Sequence, residues 1–465
     1  MIAGLKKALG QDGGQDLDCS LHFSDAPSWE ALEAMVNARQ QELGWQPPDL
    51  ETGPTNPLAL RRTFNQPGEP EVKLYRDSAA WCPYCERVWL QLEEKRIPYT
   101  IEKINMRCYG DKPPEYTRKV PSGLLPALEV DGQLWTESAE IMSLLEERFP
   151  EHKPLLPPAG SREAARADLL LRLERRLYSD WLPWLCQGWD NAGKRARFEG
   201  TMDAVDAELA RGGGPYFMGA ELSLVECVFA PMLERIAASI PYYKGLLVRG
   251  TGRWPNVDRW FDAMETRETY LGLKSDFYTH VQDLPPQLGG CVSIPEAAEV
   301  AAAIDGTDGR SWHLPLPPLT RTSLEPHAPG EDPPVDTLRA AARLVGNHAA
   351  VTRFAARGCG RPGRRLVSAP LADPTAEPGE AYLPAVDAAL RHVAHALLVG
   401  AEAKQRGADA LSAGGKGSGS GFVAEPAAAA LAYMRDRVGV PRDLPLPAAR
   451  QLRAHCNFAI DVLGA

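Results

Sequence analysis

From Val72 onward the chain passes through apolar runs and helical periodicities in a definite order. Val72-Lys73-Leu74-Tyr75-Arg76 has strand character. A loop and the tetrapeptide Cys82-Pro83-Tyr84-Cys85 follow, and Arg87 to Lys95 then carries Val88 and Leu92 at helical spacing. Tyr99–Ile104 reads as a second strand. Leu125–Val130 and Gln133–Thr136 are strand-like runs separated only by Asp131-Gly132, a two-residue link suited to the positive φ of a tight hairpin. Ser138 opens a helix with Ile141, Leu144 and Leu145 on one face, closing at Phe149-Pro150. The order is β-α-β, an irregular helical link, then β-β-α. It predicts one compact α+β domain over residues 71–151, with helices packed on a mixed sheet.

The flanking pattern is different. His152–Gly160 is a Pro-rich connection, and residues 159–283 predict an all-helical domain rich in aromatics, with Ser223-Leu224-Val225-Glu226 as a capping box. Residues 284–333 return to Pro and Gly and read as a linker. Residues 334–465 form a helical extension with patterns at Val335–Arg357, Tyr382–Lys404, Glu425–Val438 and Pro447–Leu463, and a flexible loop at Ser412–Gly421. Upstream, residues 1–70 hold one helical pattern, Trp29–Leu43, with Ser28 as N-cap and Leu32 and Met35 on one face. This extension is expected to lie along the domain that follows it, with a floppy leader the alternative that composition leaves open.

Composition narrows the function. The 465 residues carry a net charge of −10, which argues against nucleic acid as a partner and against a polybasic membrane contact. No apolar run approaches the ~18–20 residues of a membrane span. Nine cysteines, odd in number and irregularly spaced, indicate a reducing compartment rather than a disulfide framework. The first twenty residues lack the apolar stretch of a secretory signal and contain Asp12, Asp16 and Asp18, which transit peptides avoid. An intracellular location is expected, cytoplasm or plastid stroma.

The chemistry centres on Cys82, between a strand and a helix. Pro83 suits the first helical position, and the helix N-terminus favours a thiolate at Cys82, with Cys85 one turn further in as a resolving thiol. A zinc site needs two more ligands, and there is no second Cys-x-x-Cys. Two unreactive core cysteines remain an alternative. Leu125-Pro126 begins a strand after a turn at Gly123, and Glu137-Ser138 opens a helix, where a hydroxyl and free N–H groups make an anion site or a plain N-cap. His392 and His395 share a helix face, with His348 and His455 on neighbouring patterns. Without an acidic partner at helical spacing they read as helix surface, and no metal is expected.

Cys82-Pro83-Tyr84-Cys85, Val120-Pro121-Ser122-Gly123-Leu124-Leu125-Pro126 and Glu137-Ser138-Ala139-Glu140-Ile141, followed by a helical domain with the Ser223 capping box, resemble a cysteine-type glutathione transferase from about Glu71 to Asp283. The long extensions, and Arg435–Asp443 through Ala448-Ala449-Arg450, resemble the iota class of photosynthetic organisms. The resemblance implies an α+β thioredoxin-like domain followed by an all-α transferase domain. It implies glutathione as co-substrate, with Cys82 forming a mixed disulfide and a cis Pro126 facing it. Leu125 would pair its backbone with the cysteinyl part of glutathione, Glu137 and Ser138 would hold the γ-glutamyl end, Lys112 would meet the glycyl carboxylate, and Tyr84 would belong to the same binding site. Deglutathionylation, dehydroascorbate reduction and reduction of small disulfides fit, and conjugation fits less well. A dithiol reductase using Cys82 and Cys85, and a non-catalytic binding protein, stay open. Expected partners are glutathione and a small or glutathionylated substrate, with a homodimer open. Tyr178, Trp181, Trp184 and Trp189 are candidates for the wall of a second-substrate site, at least half of them being expected in the core.

Overall fold

The structure, a computed structural model, describes residues 26–320, 323–325, 332–364, 369–400 and 421–463. The N-terminal leader, the glycine-rich stretch 412–420 and the end of the helix expected to reach Lys404 lie outside the described residues. The first helix, α1, is Trp29–Leu43, and the Ser28 hydroxyl accepts from Ala31 N–H at 3.2 Å as its N-cap. Next come β1 Arg61–Arg62, β2 Val72–Asp77, α2 Pro83–Lys95, β3 Tyr99–Ile104, α3 Pro114–Lys119, β4 Ala127–Val130, β5 Gln133–Thr136 and α4 Ser138–Arg148.

The strands form one mixed sheet in the order β1-β3-β2-β4-β5. β2 runs parallel to β3, and both β1 and β4 add antiparallel. The β4–β5 hairpin turns on Asp131 and Gly132 at φ 51° and 73°, both positive as the two-residue turn requires. The α+β thioredoxin-like domain is therefore as expected, with one strand more. β1 was missed because two arginines give no apolar alternation. Its place is fixed by Arg62, whose guanidinium meets the buried Glu93 carboxylate at 2.9 and 3.0 Å. The hydroxyls of Thr55 and Tyr99 donate to the same carboxylate at 2.6 Å each, so its charge is fully partnered.

The all-helical domain comprises α5 Arg162–Cys186, α6 Asn191–Gly212, α7 Leu224–Lys244, α8 Pro255–Met264, α9 Glu268–Leu273 and α10 Phe277–Leu288. The expected capping box starts α7: Glu226 accepts from Ser223 N–H at 2.8 Å and from Phe217 N–H at 2.7 Å. Almost every residue of α7 is buried, which makes it the central helix. The expected linker carries its own structure. The short helix α11, Ala298–Ile304, packs on α7, and Trp312 enters the main core.

The C-terminal extension consists of α12 Pro333–Gly346, α13 His348–Ala355, α14 Leu383–Val399, α15 Gly421–Arg435 and α16 Leu446–Leu463. The helix expected over Val335–Arg357 is two helices. Asn347 leaves helical geometry at φ −125° and its side chain caps Arg343 C=O at 2.8 Å, the local competition typical of Asn. The N-terminal helix α1 does not lie along the thioredoxin-like domain. Leu32 and Val36 enter the core of the C-terminal extension, Trp29 Nε1 donates to Asp387 at 2.8 Å, and the Trp29 ring stacks on His348 at 4.5 Å. The two chain ends thus complete one core, with Leu32 and Val36 in its interior and Met35, as expected, packed against it. His455 is buried and bonded to Gln451 C=O at 2.7 Å, so it is not helix surface. No helix among the described residues is long and apolar enough to cross a membrane.

The extension is fastened to the all-helical domain through Arg453. Its guanidinium pairs with Asp276 at 2.6 Å, donates to Val438 C=O at 2.8 Å, and lies 4.8 Å from the centres of both the Tyr278 and Trp312 rings. Both charged groups are almost wholly buried. Replacing Arg453 with Ala leaves Asp276 buried without its counter-charge, and is expected to lower unfolding free energy by about 3–5 kcal/mol. Urea unfolding followed by tryptophan fluorescence measures this, and an unchanged midpoint contradicts it.

Candidate active site

Four strand ends meet at one end of the sheet. β2 ends at Asp77, opposite Ile104 at the end of its parallel neighbour β3. Ala127 at the start of β4 pairs with Tyr75 near the end of β2, and with Thr136 at the end of β5. The register therefore delivers four segments to the same edge: the loop into Cys82, the loop after Ile104 that carries Lys112, the Leu125-Pro126 bond, and Glu137-Ser138. The Leu125-Pro126 bond is cis.

Cys82 is the N-cap of α2, and Pro83 occupies the first helical position. No N–H closes a cap bond on its sulfur, but the adjoining Cys85 thiol, and then the N–H groups of Cys85 and Tyr84 at the helix start, hold the Cys82 thiol below its ordinary range despite burial. Cys85 responds in the opposite sense. It is 1% exposed, and burial followed by the bond to Cys82 pushes its thiol well up. The two thiols of the pair are thus shifted in opposite senses, Cys82 down and Cys85 up.

Asp77, which the sequence reading passed over, completes the cluster. One oxygen accepts from Trp81 N–H at 2.7 Å, and ligand atoms of Asp77, Cys82 and Cys85 all lie within 4.8 Å of one another. The sequence offered two candidate metal ligands here, and the fold adds a third. Its negative charge raises both thiols. The signal available in the sequence was an acid ending an apolar strand five positions before the cysteine.

The other expected residues surround this cluster. The Lys112 side chain packs over the turn at Gly123, which is held at φ +65°. Burial lowers the Lys112 ammonium from its ordinary value, while the charges of Cys85 and Cys82 oppose that shift. Tyr116 O–H donates to Leu124 C=O at 2.5 Å and anchors the residue before Leu125. Glu137 is the N-cap of α4 at φ 66°, a strained conformation for a residue with a Cβ, and Ser138 beside it is buried at the helix start. Tyr84 is 45% exposed beside Arg87, 5.1 Å from its ring centre. Of the candidates for a second-substrate wall, Trp181 and Trp184 are core residues whose indole N–H groups bond Ser239 and Asn191 at 3.0 and 2.7 Å. Trp189 is exposed under Lys194, and half-buried Tyr178 adjoins Tyr84.

Behind Cys82 the two domains are joined by buried polar contacts. Arg235 of α7 donates to Trp81 C=O and lies 4.7 Å from the Trp81 ring centre, and its other arm meets Glu86 at 3.1 Å. Trp81 Nε1 donates to His280 Nδ1 at 3.1 Å, which assigns the remaining proton to Nε2, facing Glu234 at 3.2 Å. Burial, and then the Arg235 charge, hold His280 below its ordinary value. Burial and the Glu234 charge push Glu86 well up. None of these partners adjoins Cys82 in sequence, but Glu234-Arg235 inside an apolar helical run was a visible anomaly.

Residues 81–148 match the glutathione S-transferase N-terminal domain, and residues 163–263 match the glutathione S-transferase C-terminal domain. The chain is 26% identical over 194 residues to glutathione S-transferase DHAR2 of Arabidopsis thaliana, across 42% of this chain and 84% of that protein. It is 32% identical over 158 residues to the stringent starvation protein A homolog of Pasteurella multocida, across 33% of this chain and 70% of that protein. The chain belongs to the glutathione S-transferase family. Among solved structures it is similar to glutathione transferase Omega 3C of Trametes versicolor, with 28% identity, a TM-score of 0.39, and coverage of 45% of this chain and 91% of that one. Glutathione is the co-substrate of this family, and Cys82 stands at the start of its N-terminal domain.

Because Asp77 opposes the Cys82 thiolate, Asp77→Asn, which keeps an acceptor for Trp81 N–H, is expected to move the pH profile of Cys82 alkylation by iodoacetamide to lower pH. A profile that stays in place or moves upward contradicts this.

Proposed function

We propose that this glutathione transferase is a thiol transferase whose nucleophile is Cys82. The observation that carries the reading is the place of Cys82 as N-cap of α2, its sulfur within 4.8 Å of the Cys85 sulfur and its thiol held below the ordinary range by that neighbour and by the helix start. They stabilise a thiolate, which is the attacking and leaving form in disulfide exchange. The thiolate attacks the glutathione sulfur of a glutathionylated substrate. The mixed disulfide forms on Cys82 and the substrate leaves as its thiolate. A second glutathione thiolate then attacks the adduct, releasing glutathione disulfide and regenerating Cys82. Small disulfides and dehydroascorbate are further substrates of the proposed reaction class.

Glutathione itself is proposed to lie along the four strand ends. Leu125, beside cis Pro126, would pair with its cysteinyl backbone. Glu137 and Ser138 would receive the γ-glutamyl end, Lys112 the glycyl carboxylate, and Tyr84 would flank the thiol. The strained φ of Glu137 supports this, since such strain concentrates where the backbone is set for a ligand. The long extensions at both ends, with the helical C-terminal one docked on the all-helical domain through Arg453 and Asp276, favour the iota class.

A second route uses Cys85 to expel glutathione from the adduct, closing a Cys82–Cys85 disulfide. The contact between the two sulfurs supports it, but burial keeps Cys85 protonated and slow to attack. The glutathione route is therefore the main one.

Turnover of a glutathionylated peptide, followed by coupling to glutathione reductase, tests the assignment. Cys82→Ser is expected to lower kcat/KM by at least about a hundredfold, whereas Cys85→Ser retains most of the activity. Ser138→Ala is expected to raise the KM for glutathione by roughly tenfold or more, the worth of a hydrogen bond to a charged group. Full activity in Cys82→Ser overturns the proposal. Loss of peptide turnover in Cys85→Ser assigns the chemistry to the dithiol route instead.

A further inference from the structure

A cavity of about 410 Å³ lies between the C-terminal extension and the loop that follows β3. Its lining holds four guanidinium groups, Arg343, Arg357, Arg437 and Arg442, against two carboxylates, Asp373 and Asp443. The remaining wall is largely apolar, with Leu344, Val351, Phe354 and Met434 prominent, and Tyr109 closes the side toward the thioredoxin-like domain. We propose that this cavity binds a small organic anion, a carboxylate or phosphate carried on an apolar body.

The charges within the cavity do not cancel. Arg442 meets the Asp443 carboxylate at 2.7 Å and donates to Arg437 C=O at 2.8 Å, so this pair is neutral in itself. Arg437 lies 3.6 Å from the centre of the Tyr433 ring and donates to Tyr433 C=O at 3.2 Å, while its Nε is buried without an acceptor. Arg343 forms no ion pair or side-chain hydrogen bond among the described residues, and Asp443, the carboxylate it faces, is already taken. A surplus of half-buried guanidinium groups costs free energy unless an anion joins them, because each has lost part of its hydration. Lys103 registers the same field. Burial first, and then the charges of Arg76 and Arg343, bring its ammonium down to about 8.

The size and lining define the ligand class. A volume of about 410 Å³ is in the range of small-molecule sites, whose walls are mostly apolar with a few convergent polar groups. Guanidinium forks match carboxylate and phosphate oxygens, and Phe354 and Val351 offer a surface for an aromatic or branched body. The cavity is separate from the glutathione site but shares a loop with it. Tyr109, bonded through its O–H to Asp283 at 2.8 Å, and Lys112, packed against the Gly123 turn, stand three positions apart on that loop.

Isothermal titration of the full chain at saturating glutathione tests the proposal, with 2-naphthoate and 1-naphthyl phosphate as probes and 2-naphthamide as the uncharged control. At least one anion is expected to bind with one-to-one stoichiometry, and the amide at least about tenfold more weakly. Arg343→Gln should weaken the anion at least about tenfold, Arg343→Lys should restore part of the loss, and Val351→Trp, which fills the cavity, should abolish binding. Thermal midpoints of the variants verify folding, and peptide turnover should be unchanged in Arg343→Gln. Failure of both anions to bind overturns the proposal. So does binding that ignores the charge of the probe or survives both Arg343→Gln and Val351→Trp.

Discussion

The seat of Trp81 is the constraint on which the rest of the site depends. Its backbone N–H is taken by Asp77, its C=O by Arg235 and its indole N–H by His280. These partners come from the end of β2, from α7 and from α10, so the residue before Cys82 is held by both domains at once. The start of α2 follows from this seat, and with it the direction of the N–H groups beside the Cys82 sulfur. Arg235 also takes Glu86 in the first turn of α2, so one buried cation sets both the loop and the helix. Removing it would leave Glu86 and Glu234 without their shared counter-charge.

The site is built at a sheet end because parallel β2 and β3 finish together while β4 begins there. This geometry requires no long-range foresight from the chain. It requires the β-α-β and β-β-α order and a hairpin of fixed register, and those were legible as apolar runs, a helical period and Asp131-Gly132. Cys82, Leu125-Pro126 and Glu137-Ser138 were legible as well, because strand–helix and loop–strand boundaries are marked by Pro, Gly and hydroxyl residues. Asp77, Arg235 and His280 were not, since their role comes from contacts across more than a hundred positions or from burial that no local pattern reports. β1 failed for a related reason: Arg61-Arg62 reads as surface until Glu93 is known to be buried beneath it.

The extensions follow the same division. The helices of residues 334–465 were visible in their periodicity, but their partner was not. Trp29 and Leu32 of α1 complete that core from the far end of the chain, a closure that leaves no local mark apart from an amphipathic helix. Arg453 then ties the extension to Asp276, two residues before Tyr278 and four before His280, on the element that also supports Trp81. The extension is thus continuous, through packed and paired groups, with the wall behind the thiolate. It is a built part of the enzyme rather than an appended tail.

The central claim is that Cys82 is the thiol that exchanges with glutathione. Its most direct test is intact and peptide mass spectrometry of the protein after treatment with glutathione disulfide. The account predicts a single glutathione adduct mapped to Cys82, removed by excess glutathione, with Cys85 carrying none. A protein in which Cys82 stays unmodified while another cysteine takes the adduct, or in which no thiol reacts, would contradict it.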